Sequence, residues 1–196
     1  MAAYGEKKAE MERILLKHDW LDKIIFSPSF IYGKYDWTER FYYWLYRTKF
    51  FNKILMPGGG PFSLSLTNAS DLAEALLQAV EIKKHQTIYN AISQQETTLE
   101  EVISITAKAL NKPQPEIILL DEKKLISLNL NAGQFPLFMS LNFKVSDNLW
   151  TKDFSFKKMD MAATFVEMLE YKAVKGYPVP GVGLSVEKEK EIFNAV

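Results

Sequence analysis

Cysteine is absent from this 196-residue chain, and histidine occurs only at His18 and His85. The first absence excludes a disulfide framework and any thiolate-held metal, and two histidines so far apart form no His-rich cluster, so no metal site is expected. An excess of charge of either sign is missing too, with Lys plus Arg and Asp plus Glu at 24 each. Without a global field, nucleic acid and acidic membrane surfaces are not expected partners. No apolar run approaches the ~20 residues that cross a bilayer. Charges begin at Glu6, so a signal peptide is not expected either. The lack of cysteine is compatible with a reducing cytosol, and a cytoplasmic location is the expectation. Glycine clusters only at Gly58-Gly59-Gly60, between Met56-Pro57 and Pro61-Phe62. No strand–helix unit surrounds that cluster, so it reads as a turn and not as a phosphate cradle.

What is present is globular in character: 47% hydrophobic and 24% charged residues are enough to build a sizeable core. At the amino terminus, Tyr4 and Lys8 stand four apart in a stretch with helical periodicity, so their side chains share a face. A free tyrosine has a pKa of about 10, and a fixed ammonium one turn away favours the phenolate, which suits the pair to proton transfer near neutral pH. Spacing alone is weak, because Tyr171 and Lys175 repeat it. Context carries more weight: a helix predicted over 4–18 leads to an apolar strand over 23–27. An irregular exit follows over 28–33, at the strand's carboxyl end, where open α/β sheets bind ligands.

Alternating elements follow without internal repeats. A helix is predicted over 38–51, carrying Phe41, Trp44 and Leu45 with Tyr42, Tyr43 and Tyr46 beside them. This aromatic density reads first as a packed lid helix, and second as a base-stacking surface or a dimer contact. A turn over 57–61 precedes a half-buried strand over 62–66. A helix over 70–80 is expected, with Ser70 as N-cap and Ala73, Leu76, Leu77 and Val80 as its apolar stripe. Strands over 87–91 and 116–120 flank a helix from Thr97 or Thr98 to Leu110, with Glu100 or Glu101 completing a capping box. A helix over 121–130 comes next. The pattern weakens over 131–151. Helices over 159–172 and 185–195, with a Pro-Gly turn between them, close the chain.

The order of short motifs resembles one family, the extended and atypical short-chain dehydrogenase/reductases, also described as NAD-dependent epimerase/dehydratases. Tyr4-Gly5-x-x-Lys8-Ala9-Glu10 is similar to its active-site helix, and Pro28-x-x-Ile31-Tyr32-Gly33 to the loop that passes the nicotinamide. Further matches fall in the family's order: residues 35–44, Leu55-Met56-Pro57-Gly58, Ser70-Asp71-Leu72-Ala73-Glu74-Ala75, Tyr89-Asn90-Ala91, Thr98-Leu99-Glu100-Glu101, and Gly183-Leu184-Ser185 with Glu187 and Glu189.

The resemblance implies an α/β fold, the carboxyl-terminal part of a Rossmann-type doubly wound sheet plus a smaller α/β substrate domain. Residues 1–90 would be the remnant of the dinucleotide-binding domain, with a substrate-domain helix inserted at about 34–56, and 91–196 mainly substrate domain. The glycine-rich turn, the residue that reads the adenosine ribose, and the Ser or Thr ahead of the tyrosine have no counterpart, so the cofactor-binding half is expected to lie outside this chain. In a complete protein, Tyr4 and Lys8 would be the catalytic pair and would contact NAD or NADP together with Pro28, Ser29 and Ile31. Phe30 and Tyr32 would face the substrate. This chain alone is expected to bind cofactor weakly or not at all. Phe30 stands where nucleotide-sugar epimerases carry Asn, and no arginine occurs among Phe62, Ser63, Leu64 and Ser65, which argues against a nucleotide sugar and for another small molecule. Two alternatives stay open: a non-catalytic RNA-binding or regulatory protein, and an inactive fragment. Because the strand over 23–27 would leave an edge unpaired, a homodimer or an amino-terminal partner chain is expected.

Overall fold

The computed structural model describes residues 2–58, 62–82, 87–139, 142 and 144–195. Residues 59–61 of the expected turn and His85 lie outside that set.

The helix α1 (Ala2–Leu16) leads to β1 (Ile25–Pro28), and only Ser29 separates β1 from β2 (Phe30–Tyr32). The expected irregular exit is thus largely strand. It keeps extended backbone because β2 finds a parallel partner in β4 (Leu64–Asn68), pairing Phe30 with Leu66 and Tyr32 with Asn68. Next come α2 (Arg40–Phe50) and β3 (Lys53–Pro57), then, beyond β4, α3 (Ala69–Glu81), β5 (Ile88–Ala91), β6 (Gln94–Thr97), α4 (Leu99–Ala109) and β7 (Glu116–Leu120). The remaining elements are α5 (Glu122–Ser127), a 3-10 turn at Ala132–Gln134, α6 (Asn148–Asp153), α7 (Met161–Ala173) and α8 (Val186–Ala195). Three small sheets result among the described residues: β1 parallel to β5, β3 parallel to β7, and β4 between parallel β2 and antiparallel β6.

The larger core gathers around α2. Phe41 through Leu45 are all closed to solvent, and the helix packs on α4 and α7. Its polar atoms find partners inside: the Tyr42 hydroxyl donates to Pro178 O at 2.9 Å and Trp44 Nε1 to Pro136 O at 2.8 Å. Buried as they are, Phe41 through Leu45 offer no stacking surface; they are central to the larger core. A smaller core sits on the β1–β5 pair, where Phe26, Tyr89, Trp150 and Phe154 pack ring against ring, with Ala75 of α3 alongside.

Two helices depart from the expected burial. In α3 the cap is Asn68, whose side chain accepts from Ser70 N at 2.8 Å, and the buried positions are Asp71 and Ala75. The stripe of Ala73, Leu76, Leu77 and Val80 faces outward, leaving Leu77 68% and Val80 86% exposed. A helix apolar on both faces is built to be covered on both. In α1, Met11, Ile14, Leu15 and Leu16 are likewise exposed. Among the described residues, one edge of β1 has no strand partner, and α1 and the outer face of α3 present exposed apolar side chains. Among the described residues no helix is long and apolar enough to cross a membrane.

Candidate functional site

One cavity of about 810 Å³ lies where these elements meet. Tyr4 of α1 stands on one wall, and Pro28, Ser29, Ile31 and Tyr32 form another. The segment 33–40 between β2 and α2 closes a third side, with Ala69, Ser70 and Ala73 at the start of α3 and Glu167 of α7 completing it.

Local chemistry explains why these groups converge. Thr67 ties three strands at this point: its hydroxyl accepts from Ser29 N at 3.0 Å and donates to Ala91 O. Gly33 lets the chain turn past α3, since a Cβ there would stand 3.0 Å from the Ala69 Cβ. The Asp36 carboxylate then folds the loop back on itself, its Oδ1 accepting from Thr38 N at 2.9 Å and from the Thr38 hydroxyl at 2.5 Å.

The structure brings most of the sequence-predicted residues together. Tyr4 is 70% exposed at the mouth of the cavity, and Lys8 lies one turn along α1 with its Nζ 5.7 Å from the Tyr4 ring centroid. Lys8 itself does not line the cavity. Neither does Phe30, whose ring packs against the larger core and sits 5.7 Å beneath the Arg40 guanidinium. Tyr32 is fully buried, and burial, aided by the charges of Asp71 and Asp160, pushes its hydroxyl up to about 12. The Asn68 side chain works against that rise, yet among the described residues no group reaches the hydroxyl in hydrogen-bonding geometry. Ser29 Oγ and Asp36 Oδ2 are also buried without partners. Three orphaned polar atoms thus belong to residues lining one cavity. Orphaned buried polar groups are rare in folded proteins and point to a ligand or water.

Sequence reasoning missed the 34–40 wall, comprising Lys34, Tyr35, Asp36, Trp37, Thr38 and Arg40. The local signal was the Asp36-x-Thr38 spacing, which favours a side-chain-to-backbone turn. The α3 and α7 contributions carried no local signal, because residues far along the chain have to fold against the loop before they meet it.

No protein-family model matches the chain, and no curated protein matches it. Solved structures do. The Bordetella bronchiseptica enzyme WbmG, in complex with NAD and UDP, is 14% identical with a TM-score of 0.63, over 93% of this chain and 54% of that one. A UDP-N-acetylglucosamine 4-epimerase from Methanobrevibacter ruminantium, in complex with UDP-N-acetylmuramic acid, is 14% identical with a TM-score of 0.64, over 88% of this chain and 54% of that one. The Bacillus cereus UDP-glucuronic acid 4-epimerase, in complex with UDP-glucuronic acid and NAD, is 14% identical with a TM-score of 0.59, over 83% and 49%. The α/β fold is therefore that of Rossmann-like epimerases and dehydratases. The chain spans about half the length of these proteins. The expectation against a nucleotide sugar is corrected by the same finding, since proteins of this fold hold UDP or UDP-sugars. Its physical basis fails as well: Phe30 lies outside the cavity, so its apolar ring removes nothing from the polar wall, and an arginine, Arg40, does line that wall.

Proposed function

We propose that this chain is the carboxyl-terminal portion of an NAD(P)-dependent oxidoreductase or epimerase of the short-chain dehydrogenase/reductase superfamily, working with a dinucleotide-binding unit and using Tyr4 and Lys8 as its proton-transfer pair. The observation that carries the reading is the single cavity that joins Tyr4 to the Pro28–Ser29–Ile31 wall, in a fold shared with enzymes solved with NAD. The uncovered edge of β1 and the outward apolar faces of α1 and α3 support a dinucleotide-binding unit as the element that covers them.

The residues present fit one end of the cofactor. Pro28, Ser29 and Ile31, which line the cavity together with Tyr4, would contact its nicotinamide end. No glycine-rich strand-to-helix turn occurs among the described residues, so the pyrophosphate would be held by the covering unit. The cofactor, when bound, supplies the hydride acceptor or donor. This chain's own part is proton handling and shape. The Tyr4 hydroxyl would take or give the proton of the reacting alcohol or carbonyl, with the Lys8 ammonium beside it on the same helical face. Tyr32 stays protonated near neutral pH, so it does not compete as a base. Pro28 and Ile31 give the wall apolar surface. The substrate in this reading is a polyhydroxylated small molecule, nucleotide sugars included.

The test is turnover by this chain together with a dinucleotide-binding unit, followed as the change in NADH absorbance with carbonyl substrates. Replacing Tyr4 by Phe should lower kcat about 10²–10⁴-fold, the usual share of a general acid or base. Equal turnover by wild type and Tyr4→Phe would remove the proposed pair.

A further inference from the structure

The last turn of α2 ends in a patch that belongs neither to the cavity nor to the exposed faces of α1 and α3. Phe50 is 48% exposed, and its ring lies 4.8 Å from that of Tyr46 and 5.3 Å from that of Tyr177, which follows α7. Lys49 closes the group, its Nζ 4.8 Å from the Tyr177 ring centroid and 5.6 Å from that of Phe50. The backbone is strained to hold this arrangement. Tyr177 sits at a φ of 54°, in the left-handed region that bulky residues rarely occupy and that recurs at ligand clamps. On either side of it in sequence, Val174 and Val179 are exposed as well. The free charge here is of one sign. Lys112 Nζ donates to Lys49 O, which brings a second ammonium to the same turn, and exposed Lys175 stands two residues before Tyr177. Among the described residues no carboxylate pairs with Lys49, Lys112 or Lys175, whereas Lys53 and Lys172 are engaged by Glu116 and Glu39.

We propose that this patch docks an acidic segment of a partner polypeptide, with an apolar side chain of that segment packing on Phe50 and Tyr177 while its carboxylates meet Lys49, Lys112 and Lys175. The uncompensated charge identifies the partner. Exposed rings alone accept any apolar group, whereas ammonium groups set around them select carboxylates and repel cationic segments. The ring geometry favours a peptide over a single-stranded nucleic acid. Phe50 and Tyr177 meet edge to face, at 75°, and Lys49 lies over both rings, so the flat faces that base stacking needs are already taken. Nucleic acid also draws its affinity from many phosphate contacts, which a chain with 24 positive and 24 negative side chains does not favour. Because the rings are locked against one another before any partner arrives, docking orders little and its entropic cost falls. The proposal is independent of the reading of the cavity and uses none of its residues.

Fluorescence anisotropy tests it, with the full 196-residue chain titrated into a fluorescein-labelled, glutamate-rich peptide that carries one central leucine. The peptide should bind with an affinity that falls as salt rises. Lys49→Glu should weaken binding about 10–100-fold, as loss of a central interface residue does. Lys144→Glu, the same change of charge at a lysine engaged by Glu96, should bind as wild type does. Tyr177→Gly should weaken binding comparably to Lys49→Glu without lowering the urea midpoint, because glycine adopts the left-handed backbone at no steric cost. An unchanged urea midpoint for Lys49→Glu would likewise separate lost recognition from lost folding. Equal binding by wild type and Lys49→Glu overturns the proposal, and so does failure of the peptide to bind wild type at all. Tighter binding of labelled oligouridylate than of the peptide would assign the patch to nucleic acid. A dimer in sedimentation that Lys49→Glu dissolves, and that the peptide does not, would assign it to a second copy of the chain. Either of those results overturns the proposal as well.

Discussion

Arg47 and Glu189 face each other inside the protein, with Nε 2.9 Å from Oε1 and both side chains 1% exposed. Arg47 also donates to Leu184 O at 2.6 Å, and the Tyr43 hydroxyl donates to Glu189 Oε1 at 3.3 Å, so the pair pins α8 and the segment before it onto α2. Burial raises the Glu189 carboxyl above its ordinary value, and Arg47 opposes that rise. Removing one partner strands a buried charge. Glu189→Ala is expected to destabilise the chain by about 3–5 kcal/mol, read as a shift in the urea unfolding midpoint. The double replacement Arg47→Met with Glu189→Leu should recover most of the loss. Two single variants of near wild-type stability would mean the pair is not buried in solution.

Gly183, two residues before Ser185 in the motif that pointed to the family, sits at φ +79° against the Tyr43 ring. A Cβ there would come within 2.2 Å of Tyr43 Cε2. Gly183→Ala therefore meets both a left-handed backbone and an overfilled contact. The backbone term is about 1–2 kcal/mol, and overpacking adds about 1–3 kcal/mol. Gly176, also left-handed at φ +71° but with open space around its missing Cβ, is the control: Gly176→Ala should show the backbone term alone.

Glu39 gives stability a pH dependence. It holds a left-handed φ of 57° ahead of α2, and its carboxylate accepts from Lys172 Nζ and from Gly181 N. Burial works against the charged form, but those two donors outweigh it and hold the carboxyl below its ordinary value near 4.5. With the folded value lower than the unfolded one, the contribution is complete above about pH 4.5 and is lost as pH falls through the folded value. The gap in urea midpoint between wild type and Lys172→Met should thus be widest near neutral pH and close on acidification. A gap that stays constant down to pH 3 (roughly the lower limit of ordinary carboxyl titration) would show that Lys172 acts through packing, not charge.

Legibility in the sequence followed the range over which each signal acts. The capping box at Thr98 and Glu101 needs only residues three apart, and both reciprocal bonds form, at 3.1 and 2.8 Å. Strand β7 was equally plain as an apolar run between polar ends. Strand β6 was not, because Gln94-Gln95-Glu96-Thr97 is polar throughout, with Glu96 at φ 53°, and is made a strand only by its antiparallel partner β4. Strand β3 hid behind its closing proline, and its burial comes from pairing with β7 more than sixty residues later. The α3 stripe is legible as apolar, but its outward direction is not, since periodicity finds a face without saying what it faces. In the site, the Tyr4 and Lys8 spacing is local and legible, whereas Arg40 becomes a cavity residue only when β2, α3 and α7 converge around it.

The outer face of α3 offers a test that leaves the core alone. Leu77 and Val80 make little contact within the chain, so Leu77→Lys with Val80→Lys should change its unfolding free energy by no more than about 0.5 kcal/mol. The same substitutions should abolish co-purification with a dinucleotide-binding unit, if that unit covers the face, and should reduce self-association in sedimentation. Intact co-purification of the double variant would move the docking surface elsewhere.

Helix α1 carries Tyr4 and Lys8 yet leaves its apolar side chains substantially exposed, with Met11 at 55%. A helix of about fifteen residues without tertiary packing is marginal in water, so its amides should exchange with solvent almost as fast as an unfolded chain, while those of α2 and β4, deep in the larger core, exchange far more slowly. Addition of the dinucleotide-binding unit should protect residues 4–16 and leave α2 unchanged. That coupling would mean the proton-transfer pair is positioned only when the cofactor-holding unit is in place, so an unassembled chain would carry both groups without a fixed geometry between them. Strong protection of α1 in the chain alone would show the helix to be stable uncovered, and the requirement for a covering unit would lose its main physical support.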